Sequence, residues 1–142
     1  MPLVSVVVVT LNAKDLLTQC MDSLAAQSYP NYEIILVDNG STDGSQAYLR
    51  RHFPEVKLLE LPENRGFTGA CNAGYAASHG EIIILLNNDT ETDPNWLQAI
   101  VDGFARQPGA GSIASKMLLF DRRDTLHSAG DAYGVNGSGR GT

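Results

Sequence analysis

The stretch LVSVVVVTL, Leu3–Leu11, decides the fold. It is apolar almost without interruption, which suits a strand buried on both faces, as in a parallel sheet covered by helices. The run is too short to span a bilayer, and neither a basic segment before it nor a small-residue cleavage site after it marks a leader. It reads as the first strand of an α/β domain.

Downstream, the pattern alternates between short apolar runs and helical stripes. Leu16, Leu17, Cys20, Met21 and Leu24 recur at helical spacing within 14–27, which predicts an amphipathic helix with Asn12 as its cap. YEIILVD (Tyr32–Asp38) is the second predicted strand, followed by the polar turn NGSTDG and a short helix over 45–51. VKLLEL (56–61) is the third strand. The next helix carries Phe67, Ala70, Cys71, Gly74 and Tyr75 on one face, and its small residues allow close approach to a sheet. EIIILLN (81–87) is the fourth strand, and Asp93 then caps a helix that has Pro94 at its first position and Trp96, Leu97, Ile100, Val101 and Phe104 on its apolar face. GSIASKMLLF (111–120) is the candidate fifth strand. From Asp121 the chain turns polar and Gly-rich, and GVNGSGRGT (134–142) is expected to be a loose end.

These alternations predict a mostly parallel, Rossmann-like sheet flanked by helices, with a core over 1–120 and a polar extension over 121–142. A chain of 142 residues accommodates one such domain. Its 43% apolar and 18% charged residues are those of a folded protein. The net charge of −6, with no basic run, disfavours nucleic acid as a partner. It also means that a phosphorylated ligand must be neutralised locally, by a metal ion, a helix N-terminus or a single Arg. Cys20 and Cys71 lie at helical spacing among apolar residues, as reduced core thiols of a cytoplasmic protein do. His52, His79 and His127 are scattered, without metal-binding spacing.

In a doubly wound sheet, ligands gather beyond the carboxyl ends of the strands. Here those ends are Thr10–Asn12, Asp38–Gly44, Pro62–Phe67 and Asn87–Asp93. Asp38 ends a strand where an acid commonly accepts hydrogen bonds from a ribose or base, although its segment also has the composition of a plain turn. Arg65 stands beside a helix N-terminus, which suits an anion or a neighbouring carboxylate, or is simply a surface Arg. In NNDTETD, Asp89 could hold a hard divalent ion that takes its other ligands from phosphate, or the segment could be a turn leading to the Asp93 cap. Neither GxGxxG after the first strand nor GxxxxGK[ST] occurs, which removes the common dinucleotide and P-loop readings, and the absence of GxSxG leaves an acyl-transfer triad unsupported.

Taken together and in order, VSVVVVTLN, YPNYEIILVDNGSTDGS, ENRGFTGACNAG and IIILLNNDTETDPNWL resemble the donor-binding part of family 2 glycosyltransferases with the GT-A fold. The resemblance covers about residues 3–118 and extends toward HSAG at 127–130. LLNNDT is similar to the form found in rhamnosyltransferase-like members that build bacterial surface polysaccharides. The resemblance implies an inverting transfer of a sugar from a UDP- or dTDP-linked donor to a saccharide or lipid-linked acceptor. It places Thr10 and Asn12 near the base and ribose, Asp38 on the base or ribose, Ser41 in the same pocket and Arg65 near the nucleotide. Asn87, Asn88 and Asp89 align with the DxD motif, so Asp89 would hold Mg2+ or Mn2+. The implied location is cytoplasmic, with peripheral membrane association for a longer parent protein.

This sequence departs from the family pattern in two ways. Asn87 replaces the first DxD carboxylate and brings no charge. The base that deprotonates the acceptor belongs to a later segment in the family and is expected beyond Thr142, so the chain reads as a truncated, donor-binding fragment. A non-catalytic nucleotide-sugar-binding module is the main alternative. A nucleotidyltransferase is a weaker one, because TLNAKD is not the Gly-rich basic loop such enzymes carry.

Overall fold

The computed structural model describes residues 1–128, 131–133 and 139–141. The chain divides into two compact units, Met1–Val101 and Asp102–Thr142. In the first, β1 (Val4–Thr10), α1 (Lys14–Ala25), β2 (Tyr32–Asp38), α2 (Ser45–His52), β3 (Lys57–Glu60), α3 (Gly66–Ala76), β4 (Ile82–Asn87) and the start of α4 (Trp96–Arg106) alternate as the pattern predicts.

The four strands form a parallel sheet in the order β3-β2-β1-β4. The chain first builds outward from β1 to β3, then crosses back to lay β4 on the other side of β1. Because parallel crossovers are right-handed, this reversal puts α3 on the opposite face from α1 and α2. β1 is therefore paired on both sides and covered on both faces, and Val4, Val6, Val7 and Val8 are essentially inaccessible. Each such side chain contributes roughly 1.5–3 kcal/mol by its burial.

On the α3 face, Val7, Ile35, Val37, Leu61 and Ala70 form one cluster, with Ala73, Ala77 and Ile83 packed against it. The helix comes very close here: a Cβ on Gly74 would lie 2.3 Å from Val7 Cγ1 and 3.0 Å from Val37 Cγ2. Its contact line is Ala70, Ala73, Gly74 and Ala77, so Phe67 and Tyr75, one helical row away, are exposed and do not belong to the buried face expected of them. On α1 the buried row is Leu17, Cys20, Met21 and Leu24, and Leu16 lies off it in solvent. Both cysteines are free and buried.

The amino end of the sheet is closed by Ser5, a polar residue inside the apolar run. Its hydroxyl donates to Glu33 Oε1 at 2.6 Å and accepts the Gly80 amide at 2.8 Å. A side chain at Gly80 would stand 2.6 Å from the Ser5 amide nitrogen, so the α3–β4 turn needs glycine there.

The second unit departs further from expectation. Only Met117–Leu118 of the predicted fifth strand is extended (β5), and it pairs antiparallel with β6 (Leu126–Ser128) instead of joining the parallel sheet. The Leu119 amide donates to the Thr125 carbonyl at 2.9 Å, so this is a local hairpin. The segment after Asp121, expected to be loose, contains β6 and a further antiparallel pair, β7 (Asp131–Tyr133) with β8 (Gly139–Gly141). Residues 134–138 and 142 of the expected loose end lie outside the described residues.

Gly74→Ala is expected to destabilise the protein by about 1–3 kcal/mol through overpacking, despite the better helix propensity of alanine. Urea unfolding checks this. Combining it with Val7→Ala, which makes room for the new methyl group, should cost less than the sum of the two single changes.

Candidate functional site

The register brings the carboxyl ends of three strands level: Thr10 pairs with Asp38, and Val9 pairs with both Val37 and Asn87. The reversal of strand order falls between β1 and β4, so the crevice of a doubly wound sheet opens there.

Asp38 is fully buried at the end of β2. Its Oδ2 accepts the Ser41 amide at 3.2 Å and a hydrogen bond from Gln46 Nε2, whereas Oδ1 is buried and accepts none. Ser41 is buried as well, and its hydroxyl accepts the Asn12 amide at 2.9 Å. Asn12 in turn accepts the Thr42 amide at Oδ1, at 2.8 Å. At the end of β1, the Thr10 hydroxyl accepts from Asn88 Nδ2 at 3.2 Å across the switch point.

Asn12 does not cap α1 as expected. It has φ of 48° and is spent tying the loop after β1 to the loop after β2. The amide of Lys14, the first residue of α1, is taken instead by Asp43 Oδ2 at 3.1 Å. Asp43 Oδ1 accepts the amide and hydroxyl of Ser45, the first residue of α2. One carboxylate thus caps two helices, and the partially positive N-termini favour its charge. The Ser45 hydroxyl, with the Lys14 and Ser45 amides, outweighs slight desolvation and holds this carboxyl below its ordinary 3.8.

Asn39 is buried beside Asp38 and clamps the third loop. It donates to Asn64 Oδ1 at 2.9 Å and to the Gly66 carbonyl, and it accepts the Arg65 amide at 2.9 Å. Arg65 is the residue before α3, and its side chain is exposed.

The structure therefore unites Thr10, Asn12, Asp38, Ser41 and Asn88 in a group of contacting loops, with Arg65 fastened to it through its backbone. Asn87 and Asp89 are exposed at the end of β4, where the backbone of Asn87 is tied to its neighbours. The Asn87 carbonyl accepts from Thr90 Oγ1 at 2.7 Å, and the thiol of Cys20 approaches the same oxygen at 3.9 Å. Burial, with a smaller push from the charge of Asp89, outweighs hydrogen bonding from Thr90 and raises that thiol to about 11. It is neutral at physiological pH.

Among the described residues no group of three or more His, Cys, Asp or Glu could hold a metal. One exposed carboxylate, Asp89, still fits Mg2+ or Mn2+, which take few protein ligands when a diphosphate supplies the rest. Gln46, Asn39, Asn64 and Asp43 were not singled out from the sequence. Only Asp43 had a local signal, its place two residues before a helix.

Solved structures share this fold. The mannosyltransferase PcManGT of Pyrobaculum calidifontis, in complex with GDP-Man and Mn2+, is 26% identical with a TM-score of 0.68, over 83% of this chain and 36% of that one. S. aureus TarS 1-349 in complex with UDP-GlcNAc is 21% identical with a TM-score of 0.67, over 84% of this chain and 41% of that one, a likeness of fold. The domain is thus a GT-A fold. The O-antigen biosynthesis protein RfbC of Myxococcus xanthus is 34% identical over 140 residues, 96% of this chain and 11% of its own length. The profile of glycosyl transferase family 2 matches residues 5–132, and the chain belongs to that family. It spans well under half the length of each of these relatives. No helix among the described residues is long and apolar enough to cross a membrane.

Asp43→Ala should lower stability at pH 7 by about 1–2 kcal/mol, as loss of a cap does, with screening at this exposed position favouring the lower figure. Because the folded carboxyl titrates below its unfolded value, its contribution is present above about pH 4 and is lost as pH falls through the folded value. Urea unfolding of both proteins at pH 7 and pH 3 should show the difference shrinking at pH 3.

Proposed function

We propose that this chain is the donor-binding part of an inverting glycosyltransferase, which takes a sugar from a nucleoside diphosphate and passes it to a saccharide or lipid-linked acceptor. The observation that carries the reading is the buried Asp38 with one unpaired oxygen, inside loops that meet at the switch point. A buried acceptor of this kind is costly unless a donor reaches it, and a base or ribose offers N–H and O–H groups. Asp38 and Ser41 would form the base and ribose end of the pocket, with Thr10 and Asn12 shaping its wall. Asn87 and Asn88 would direct amides toward the diphosphate. Arg65, at the start of α3, would add positive charge near the nucleotide.

Asp89 would hold Mg2+ or Mn2+. When bound, the ion supplies charge that offsets the negative charge growing on the leaving diphosphate. Likeness to a protein complexed with GDP-Man and Mn2+ supports the use of a metal. UDP and dTDP remain the nucleotides that the resemblance favours. Likeness to an O-antigen biosynthesis protein supports an acceptor in surface polysaccharide assembly. The base that takes the proton of the acceptor hydroxyl is assigned to chain beyond Thr142, and inversion follows when that hydroxyl oxygen attacks the anomeric carbon on the face opposite the departing diphosphate.

Calorimetric titration of the chain with UDP, dTDP and GDP, each with and without Mn2+, tests the reading. One nucleotide should bind with metal-dependent affinity, and Asp89→Ala should remove that dependence with a loss of at least about tenfold. The reading fails if no nucleotide binds, or if Asp89→Ala binds as the unaltered chain does.

A further inference from the structure

Gln46 has no role in the donor site as described so far, yet it touches its most buried acid. It is the second residue of α2 and partly buried. Its single side-chain nitrogen donates to Asp38 Oδ2 and, at 2.8 Å, to the Ser41 carbonyl. Both protons of the amide are thereby used, and both go to residues of the β2 carboxyl end. The Ser41 amide reaches the same oxygen of Asp38 from the turn. Two donors on Oδ2 and none on Oδ1 fix the rotation of the carboxylate about its last bond, with the unpaired oxygen turned away from both.

We infer that Gln46 is a positioning residue that locks Asp38 with one acceptor free, and so sets a preference for a nucleobase presenting an N–H at that point. The inference rests on the donor-site reading above. Its chemistry is that of a buried, acceptor-only atom: a ring N–H, as in uracil, satisfies it, whereas a ring nitrogen bearing a lone pair, as in cytosine, sets acceptor against acceptor. A free carboxylate could rotate or recruit water to lessen that mismatch, and one held by Gln46 cannot. Discrimination between the two bases therefore depends on Gln46 as well as on Asp38. A site built to hydrogen-bond a given group rejects analogues lacking it far better than an apolar pocket rejects a change of size.

UDP and CDP, each with Mn2+, are titrated into the unaltered chain, Gln46→Met and Gln46→Glu, after the melting temperature of each has been measured. Gln46→Met keeps the length of the side chain and removes its donors. Its UDP affinity should fall about tenfold, the worth of one hydrogen bond to a charged group, while CDP affinity changes less than about threefold. Gln46→Glu sets an acid against Asp38 and should lower UDP binding further. A purely structural role would weaken both nucleotides alike. Equal losses for UDP and CDP, or UDP affinity unchanged in Gln46→Met, overturn the inference and leave the donor site standing. If the unaltered chain binds dTDP or GDP but neither UDP nor CDP, this inference falls and the donor site stands; if it binds none of the four, the donor-site reading fails and this inference with it.

Discussion

The structure depends on the parallel register that pairs Thr10 with Asp38 on one side and Val9 with Asn87 on the other. A slip of one residue would turn the inward valines of β1 toward the opposite helical layer and move every loop at the carboxyl ends by about 3.3 Å. Register is specified because both faces of β1 are buried, so its side chains have no solvent-facing alternative. Gly74 sharpens it, since α3 approaches so closely that Val7 fits only opposite a residue without a side chain. Packing in the interior thus fixes the level at which Thr10, Asp38 and Asn88 stand together.

Above that platform, the loops are held by side chains spent on backbone groups. Asn12 joins the first loop to the second, Asn39 joins the second to the third, and Asn88 reaches back to Thr10. Asp43 adds a carboxylate that secures two helix starts at once. Bonds between loops far apart in sequence give a rigid rim without secondary structure. That rigidity suits a site whose polar groups must be oriented before a ligand arrives.

The regular part of this design was legible in the sequence because strands and helices leave local periodicities. All four strands of the parallel sheet and their helices follow from patterns a dozen residues long. What was not legible depends on distant partners. Asn12 has the composition and position of a cap, yet Ser41 and Thr42 claim it from 29 and 30 residues away. Phe67 and Tyr75 fit an apolar stripe, but the close approach at Gly74 makes the row beside them the buried one. β4 lies at the sheet edge, where Leu85 is 57% exposed although its apolar run is as continuous as that of β1. Met117–Leu118 is apolar enough for a strand but pairs locally. Of the rim residues, Thr10, Asp38 and Ser41 could be placed by their position at strand ends, whereas Gln46 sits inside a helix, where a Gln carries no signal.

The position of β1 also has a consequence for how the chain is made. It is synthesised before both of its partners in the sheet, and its pairing on one side waits for β4: Thr10 and the Asn88 that reaches it are 78 residues apart. At translation rates of 5–20 residues per second, that interval is roughly 4–16 s. Throughout it, the most apolar segment of the protein has at least one unpaired edge. The ribosome exit tunnel and whatever shields nascent chains there must cover for a neighbour that does not yet exist, and the central strand of the finished sheet is the part of the molecule that waits longest to be complete.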